Sequence, residues 1–191
     1  MHNSFSEKYA WVNDKFGVSW QLILTDKTDQ KVAPCLMYTG ENQGKAESAI
    51  KFYTGVFKNS ELDYLVKYEE GEQAPGMVKH AGFKLEGQQF IAMDSPIDHP
   101  FSFTPATSFI VNCKNQGEID EMWEKLQADG GSPSQCGWLM DKFGVSWQVV
   151  PTIMEEIMTD KDKVRRERVC AAVMKMVKLD IAELETAFKG S

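Results

Sequence analysis

Between residues 32 and 151 the chain runs twice through one order of apolar and polar patterns. Residues 32–38, VAPCLMY, are a short apolar run of the kind that forms a buried strand. Residues 45–57 place Ala46, Ala49, Ile50, Tyr53 and Phe57 three and four apart, on one face of a helix. Residues 62–69, LDYLVKYE, predict a strand, and residues 77–85 and 88–94 a hairpin that turns at Glu86-Gly87. The order is β-α-β-β-β. It recurs with a strand at 107–113 and a helix at 117–129, whose Ile119, Met122, Trp123 and Leu126 share a face. The loop GGSPSQ and two strands, around Trp138 and over 145–150, complete the second unit. That unit leaves room for a strand that is short or irregular.

The predicted fold class is therefore α+β: paired β-α-β-β-β modules forming a curved mixed sheet with a cleft, plus C-terminal helices. Alternation assigns the faces. In 77–85, Ala81, Phe83 and Leu85 form an apolar row, and Val78, His80, Gly82 and Lys84 the row expected to line the cleft. On the last strand Trp147 and Val149 oppose Ser146, Gln148 and Val150, so Trp147 is expected beneath the helices. The aromatics expected near the cleft are Phe90, Phe101, Phe103 and Trp138. In the tail, 152–189, Val169, Ala172, Val173, Met176 and Val177 make a helical stripe. Asp180 and Glu183 have capping-box spacing ahead of Ile181, Leu184 and Phe188. Arg165, Arg166 and Arg168 lie opposite the stripe and read as a solvated face.

One segment is written twice. Residues 11–24, WVNDKFGVSWQLIL, and residues 138–151, WLMDKFGVSWQVVP, agree at nine of 14 positions with a constant offset of 127. Asp-Lys-Phe-Gly is a turn, and the alternating residues after it are a strand. Each copy is a turn feeding a closing strand. Nothing domain-sized precedes the first copy, so residues 1–30 are expected to be the remnant closing hairpin of an upstream repeat plus a linker. The main domain is expected over 31–151 and a helical extension over 152–191. A lone hairpin does not bury its apolar face, and it is expected to pair with a sheet edge in this chain or a neighbour.

Composition narrows the function classes. Of 191 residues, 42% are hydrophobic and 26% charged, the balance of a globular protein. Lys plus Arg total 21 against 28 for Asp plus Glu, and the net charge of −7 argues against nucleic acid as a partner. No apolar stretch is long enough to span a bilayer. The start, MHNSFSEKYAW, carries no apolar run, and a cytoplasmic protein is expected. The cysteines, Cys35, Cys113, Cys136 and Cys170, form no CxxC pair. Three of them sit in apolar runs and read as reduced, buried thiols.

The stretches VAPCLMYTG, AIKFYTGVF, KHAGFKLEGQQFIAMDS, CGWLMDKFGVSWQVVP and RVCAAVMKMVKLDIAEL resemble, in order over residues 31–188, the PhnB-like group of the glyoxalase/bleomycin-resistance/dioxygenase, or vicinal oxygen chelate, superfamily. The resemblance implies tandem β-α-β-β-β modules and a homodimer. Members often carry the label of a ubiquinone-pathway methyltransferase, yet the Gly-rich strand-to-helix turn of the usual nucleoside-cofactor site is not written here. Superfamily enzymes hold a divalent metal with four His or Glu side chains, one on each of four strands. The matching positions here are Cys35 on the first strand, Ile91 or Met93 on the fourth, Ser108 on the fifth and Gln148 on the closing strand; Asp94 faces the other way. That set suits neither a hard nor a borderline cation, so no metal and no cofactor are expected. His80 matches a histidine of relatives and is the candidate general base or polar anchor. His99 belongs to a Pro-rich loop.

Three readings remain open. The first is metal-free binding of a small organic molecule by Cys35, His80, Met93, Ser108, Trp138 and Gln148. The second is a superfamily enzyme using His80 or an unrecognised metal. The third is an inactive structural repeat serving assembly.

Overall fold

The computed structural model describes residues 8–24 and 30–190. His2 and residues 25–29 of the linker lie outside them. The chain divides into two compact units, residues 1–33 and residues 34–191.

The first unit is a hairpin of β1 (Tyr9–Asn13) and β2 (Ser19–Ile23), paired antiparallel with Trp11 opposite Gln21 and Val12 opposite Trp20. Asp14 closes the turn, its Oδ1 accepting from the backbone N–H groups of Phe16 and Val18 at 2.9 and 3.0 Å. Gly17 takes the positive φ that the turn requires.

The second unit contains both modules. The first is β3 (Cys35–Tyr38), α1 (Ala46–Val56), β4 (Ser60–Lys67), β5 (Val78–Leu85) and β6 (Gln88–Asp94). The second is β7 (Ser108–Cys113), α2 (Gln116–Gln127), β8 (Ser132–Pro133), β9 (Trp138–Met140) and β10 (Ser146–Pro151). The two sheets share a topology, β3-β6-β5-β4 and β7-β10-β9-β8, with the first and last strand of each module parallel and the rest antiparallel. β8, of two residues, is the short strand of the second module.

Helices α1 and α2 pack on one face of the sheets. Tyr53 of α1 and Phe57, which caps its C-terminal end, meet the Trp147 ring at centroid distances of 5.5 and 5.6 Å, so the first module's helix covers the second module's closing strand. Phe83, Phe90, Phe109 and Trp147 form a chain of ring contacts through the core. Burying side chains of this size stabilises the fold by roughly 1.5–3 kcal/mol each. The α1 N-terminus has no cap in its own sequence; Asp94 supplies one from β6, its Oδ1 accepting from Ala46 N–H and its Oδ2 from Val78 N–H.

Four expectations are corrected, the last of them in the tail. Val78 is in the core and not on the cleft row. Val66 opposes His80 while Lys67 opposes Val78, so a β-bulge at Lys79 shifts the alternation by one. Phe90 likewise packs in the core, against Phe83. Of the cysteines in apolar runs, Cys113 is buried, but Cys35 and Cys170 are exposed, because their neighbours along the chain carry the burial.

The tail is helical, with α3 (Ile153–Thr159), α4 (Lys163–Val173) and α5 (Ile181–Lys189). Val169, Met176 and Leu184 bury together in a small core of their own. Asp180 caps α5 by accepting from Glu183 N–H. Arg168 is not part of a solvated face. Its guanidinium donates to the carbonyls of Ala187 and Phe188 at 2.8 Å each, and so closes the C-terminal end of α5. Among the described residues no helix is long and apolar enough to cross a membrane.

Candidate functional site

The side of the first sheet away from α1 is read from its register. Tyr64 opposes Gly82, Gly82 opposes Ile91, and Ile91 opposes Cys35, so these four make one row across β4, β5, β6 and β3. The adjacent row carries Val66 and His80, with Met93 and Met37 paired beside them. Buried Leu36, Tyr38, Phe90 and Ala92 alternate with these residues and point to the core. Cys35, His80 and Met93 thus share a surface, as the alternation expects.

Tyr64, which the alternation alone does not single out, organises this surface. Its hydroxyl lies 2.9 Å from His80 Nδ1, and the two rings stack nearly parallel, 5° apart in plane at a centroid distance of 5.7 Å. The stack closes His80 to 6% exposure while Tyr64 stays 43% exposed. Gly82 makes it possible: a Cβ there would stand 2.5 Å from Tyr64 Cε1. A glycine inside an otherwise regular strand was the one signal that a ring crosses at this point. Burial lowers the His80 pKa below its ordinary value, so the imidazole is neutral near pH 7. The Tyr64 pKa is raised, first by burial and then by the charges of Asp63 and Cys35.

On the second sheet Gln148 opposes Trp138 on β9 and Ile110 on β7. Gln148 Nε2 donates to Ser108 Oγ at 2.8 Å. Trp138, Gln148 and Ser108 therefore form a second group of predicted residues, while Trp147 and Val149 alternate with them and are buried. The structure gives two clusters, one per sheet. His99 binds Ser95 through Nε2 and Oγ at 2.7 Å and leans on Phe101, a contact within its own loop.

The positions where the superfamily carries metal ligands hold Cys35, Ile91 or Met93, Ser108 and Gln148. Neither a carboxylate nor an imidazole is among them, and Ser108 and Gln148 spend hydrogen-bonding groups on each other. Among the described residues no three His, Cys, Asp or Glu side chains come together. The donor set does not fit a hard or borderline cation. A hollow of about 230 Å³ lies on the tail, lined by Ile153, Glu156, Ile157, Glu185, Phe188 and Lys189.

Beneath the second cluster lies a buried polar group with a structural task. Asp141 Oδ1 accepts from the backbone N–H groups of Phe143 and Val145, and its Oδ2 from Tyr53 Oη and Trp147 Nε1, both at 2.8 Å. Burial raises its pKa, against the pull of these donors.

Two β-α-β-β-β modules of like topology, helices on one face and the other face open, define a glyoxalase-type fold. Residues 30–150 match the family described as 3-demethylubiquinone-9 3-methyltransferase, and the chain belongs to that family, the PhnB-like group of the vicinal oxygen chelate superfamily. A PhnB protein from Bacillus cereus is 40% identical over 64% of this chain and 100% of its own length, with a TM-score of 0.60. Protein PA1353 from Pseudomonas aeruginosa, 20% identical over 64% of this chain and 98% of its own, shares the fold with a TM-score of 0.54. No curated protein matches the chain.

Proposed function

We propose that the protein holds a small organic molecule, without a metal, on the open face of its sheets. The observation that carries this is the Tyr64–His80 stack over Gly82: a phenol presented to solvent, backed by a neutral imidazole and set in apolar surroundings of Val66, Ile91 and Met93. Such a surface recognises a ligand with a flat or apolar body and one hydrogen-bonding group. Ser108, Gln148 and Trp138 add a second polar and aromatic patch. The donor chemistry at the superfamily's ligand positions supports the metal-free reading. The protein acts as a homodimer in the cytoplasm.

A second reading rests on the same pair. A neutral His80 takes the Tyr64 proton as Tyr64 takes one from a bound molecule, and the protonated His80 returns it through Tyr64 in the reverse step, which makes the pair an acid–base relay. A panel of small aromatic and carbonyl compounds, and of divalent metals, read by melting temperature, separates these. A ligand that raises the Tm of the parent protein and not of Tyr64→Ala supports binding at this face. Stabilisation by a metal alone, lost in Gln148→Ala, overturns the metal-free claim.

A further inference from the structure

The duplicated segment folds the same way twice, and the two copies differ in burial. In both copies the aspartate takes the backbone N–H groups two and four residues on, and the tryptophan indole six residues on. The strand register is also the same: Trp11 opposite Gln21 matches Trp138 opposite Gln148, and Val12 opposite Trp20 matches Leu139 opposite Trp147. Trp147 is 2% exposed and Phe143 4%, whereas Trp20 is 41% exposed and Phe16 80%. What covers the buried copy is known in detail. Tyr53 of α1 lies tilted against Trp147 and donates its hydroxyl to Asp141 Oδ2, and Phe57, one turn later, meets the same indole. Asp14 Oδ2 accepts from Trp20 at 3.0 Å, and among the described residues no phenol joins it.

We propose that the hairpin Tyr9–Ile23 is a docking surface for an amphipathic helix of the α1 type. Such a helix carries a tyrosine that donates to Asp14 Oδ2 and a phenylalanine four residues on that covers Trp20. The partner is thus a β-α-β-β-β module whose helix lacks a closing hairpin of its own. Two features select it over a generic apolar partner. The pattern Tyr-x-x-x-Phe matches the spacing of indole and carboxylate, and the carboxylate has one acceptor position arranged for a neutral donor in the copy where that position is filled.

The test adds a peptide of residues 45–58, held helical by a lactam between Glu47 and Lys51, to the full chain. These two side chains already form an i,i+4 ion pair, away from the aromatic stripe. The readout is the set of indole N–H resonances, with Trp20 assigned through Trp20→Phe. A saturable shift of the Trp20 resonance is expected. The shift should weaken about tenfold or more with a Tyr53→Phe peptide, and equally in Asp14→Asn chain, since both remove a hydrogen bond to a charged acceptor. Three results overturn the proposal. One is the absence of a saturable shift at millimolar peptide of verified helicity. Another is equal binding of the Tyr53→Phe peptide, or movement of the Trp147 resonance in place of Trp20. The third is a chain dimer that Trp20→Ala converts to monomer, which assigns the surface to a second copy.

Discussion

Asp14 and Asp141, 127 positions apart, hold the same three donors in the same geometry, and differ in a fourth that reaches only Asp141. Identical local sequence therefore builds an identical turn with or without a covering helix. The turn is a local structure, and the helix is what converts it into core. This separation of local and tertiary terms gives the substitutions at the two sites different weights.

Asp141→Ala is expected to destabilise the protein by about 3–5 kcal/mol, since two backbone N–H groups, an indole and a phenol lose their acceptor in a buried setting. Asp14→Ala loosens a solvent-exposed turn and is expected to leave the main transition nearly unchanged. Thermal unfolding of the two variants followed by tryptophan fluorescence compares them directly. Equal losses would mean that the hairpin is as deeply embedded as its copy.

Gly82→Ala is expected to expel the Tyr64 ring from its place over the strand, at a cost of about 1–3 kcal/mol. Tyr64→Ala removes the obstacle. In that background Gly82→Ala should cost well under 1 kcal/mol, so the two changes couple strongly in a double-mutant cycle. Additive effects would show that the contact between Tyr64 and Gly82 carries no energy.

How far these relationships can be read in advance depends on their range along the chain. The module order, the helix faces of Tyr53 and Trp123, and the inward Trp147 all follow from periodicity, because local alternation and burial agree there. Val78 is misassigned since the bulge at Lys79 changes the alternation without changing the pattern of residue types. Tyr64 meets His80 across a strand pair, and only Gly82 marks the crossing. Asp94 reads as an outlying carboxylate in sequence and becomes a helix cap only when β6 and α1 are brought together. Arg168 shares its helix face with Arg165, yet α5 returns to offer it two carbonyls. The candidate surface was legible in the residues that alternation could assign, and its organising tyrosine was not.

Asp94→Ala is expected to unlatch the start of α1 and cost about 2 kcal/mol, because two buried N–H groups on separate elements lose one acceptor. The consequence reaches the second module, since α1 carries Tyr53 and Phe57 onto Trp147. Hydrogen exchange should therefore quicken at the α1 N-terminus and, less strongly, in β10. Exchange that quickens at α1 alone would show that the helix holds its place from its C-terminal half.

Buried His80 makes the stability of the protein depend on pH. Burial depresses its folded-state pKa below the ordinary 6.5, so between that value and 6.5 the unfolded chain binds more protons at this site than the folded one. Stability contributed by neutral His80 is thus complete above pH 6.5 and is lost as the pH falls through the folded value. Tm should decline on acidification from pH 7.5 toward 5, and the decline should be shallower in His80→Gln, which does not titrate. Other groups titrate identically in both proteins, so the difference between the two curves isolates the histidine. Parallel curves would mean that His80 is protonated as easily in the folded protein as in the unfolded chain. The Tyr64 phenol would then accept a hydrogen bond from a cation, and the face would suit an anionic ligand instead of a neutral one.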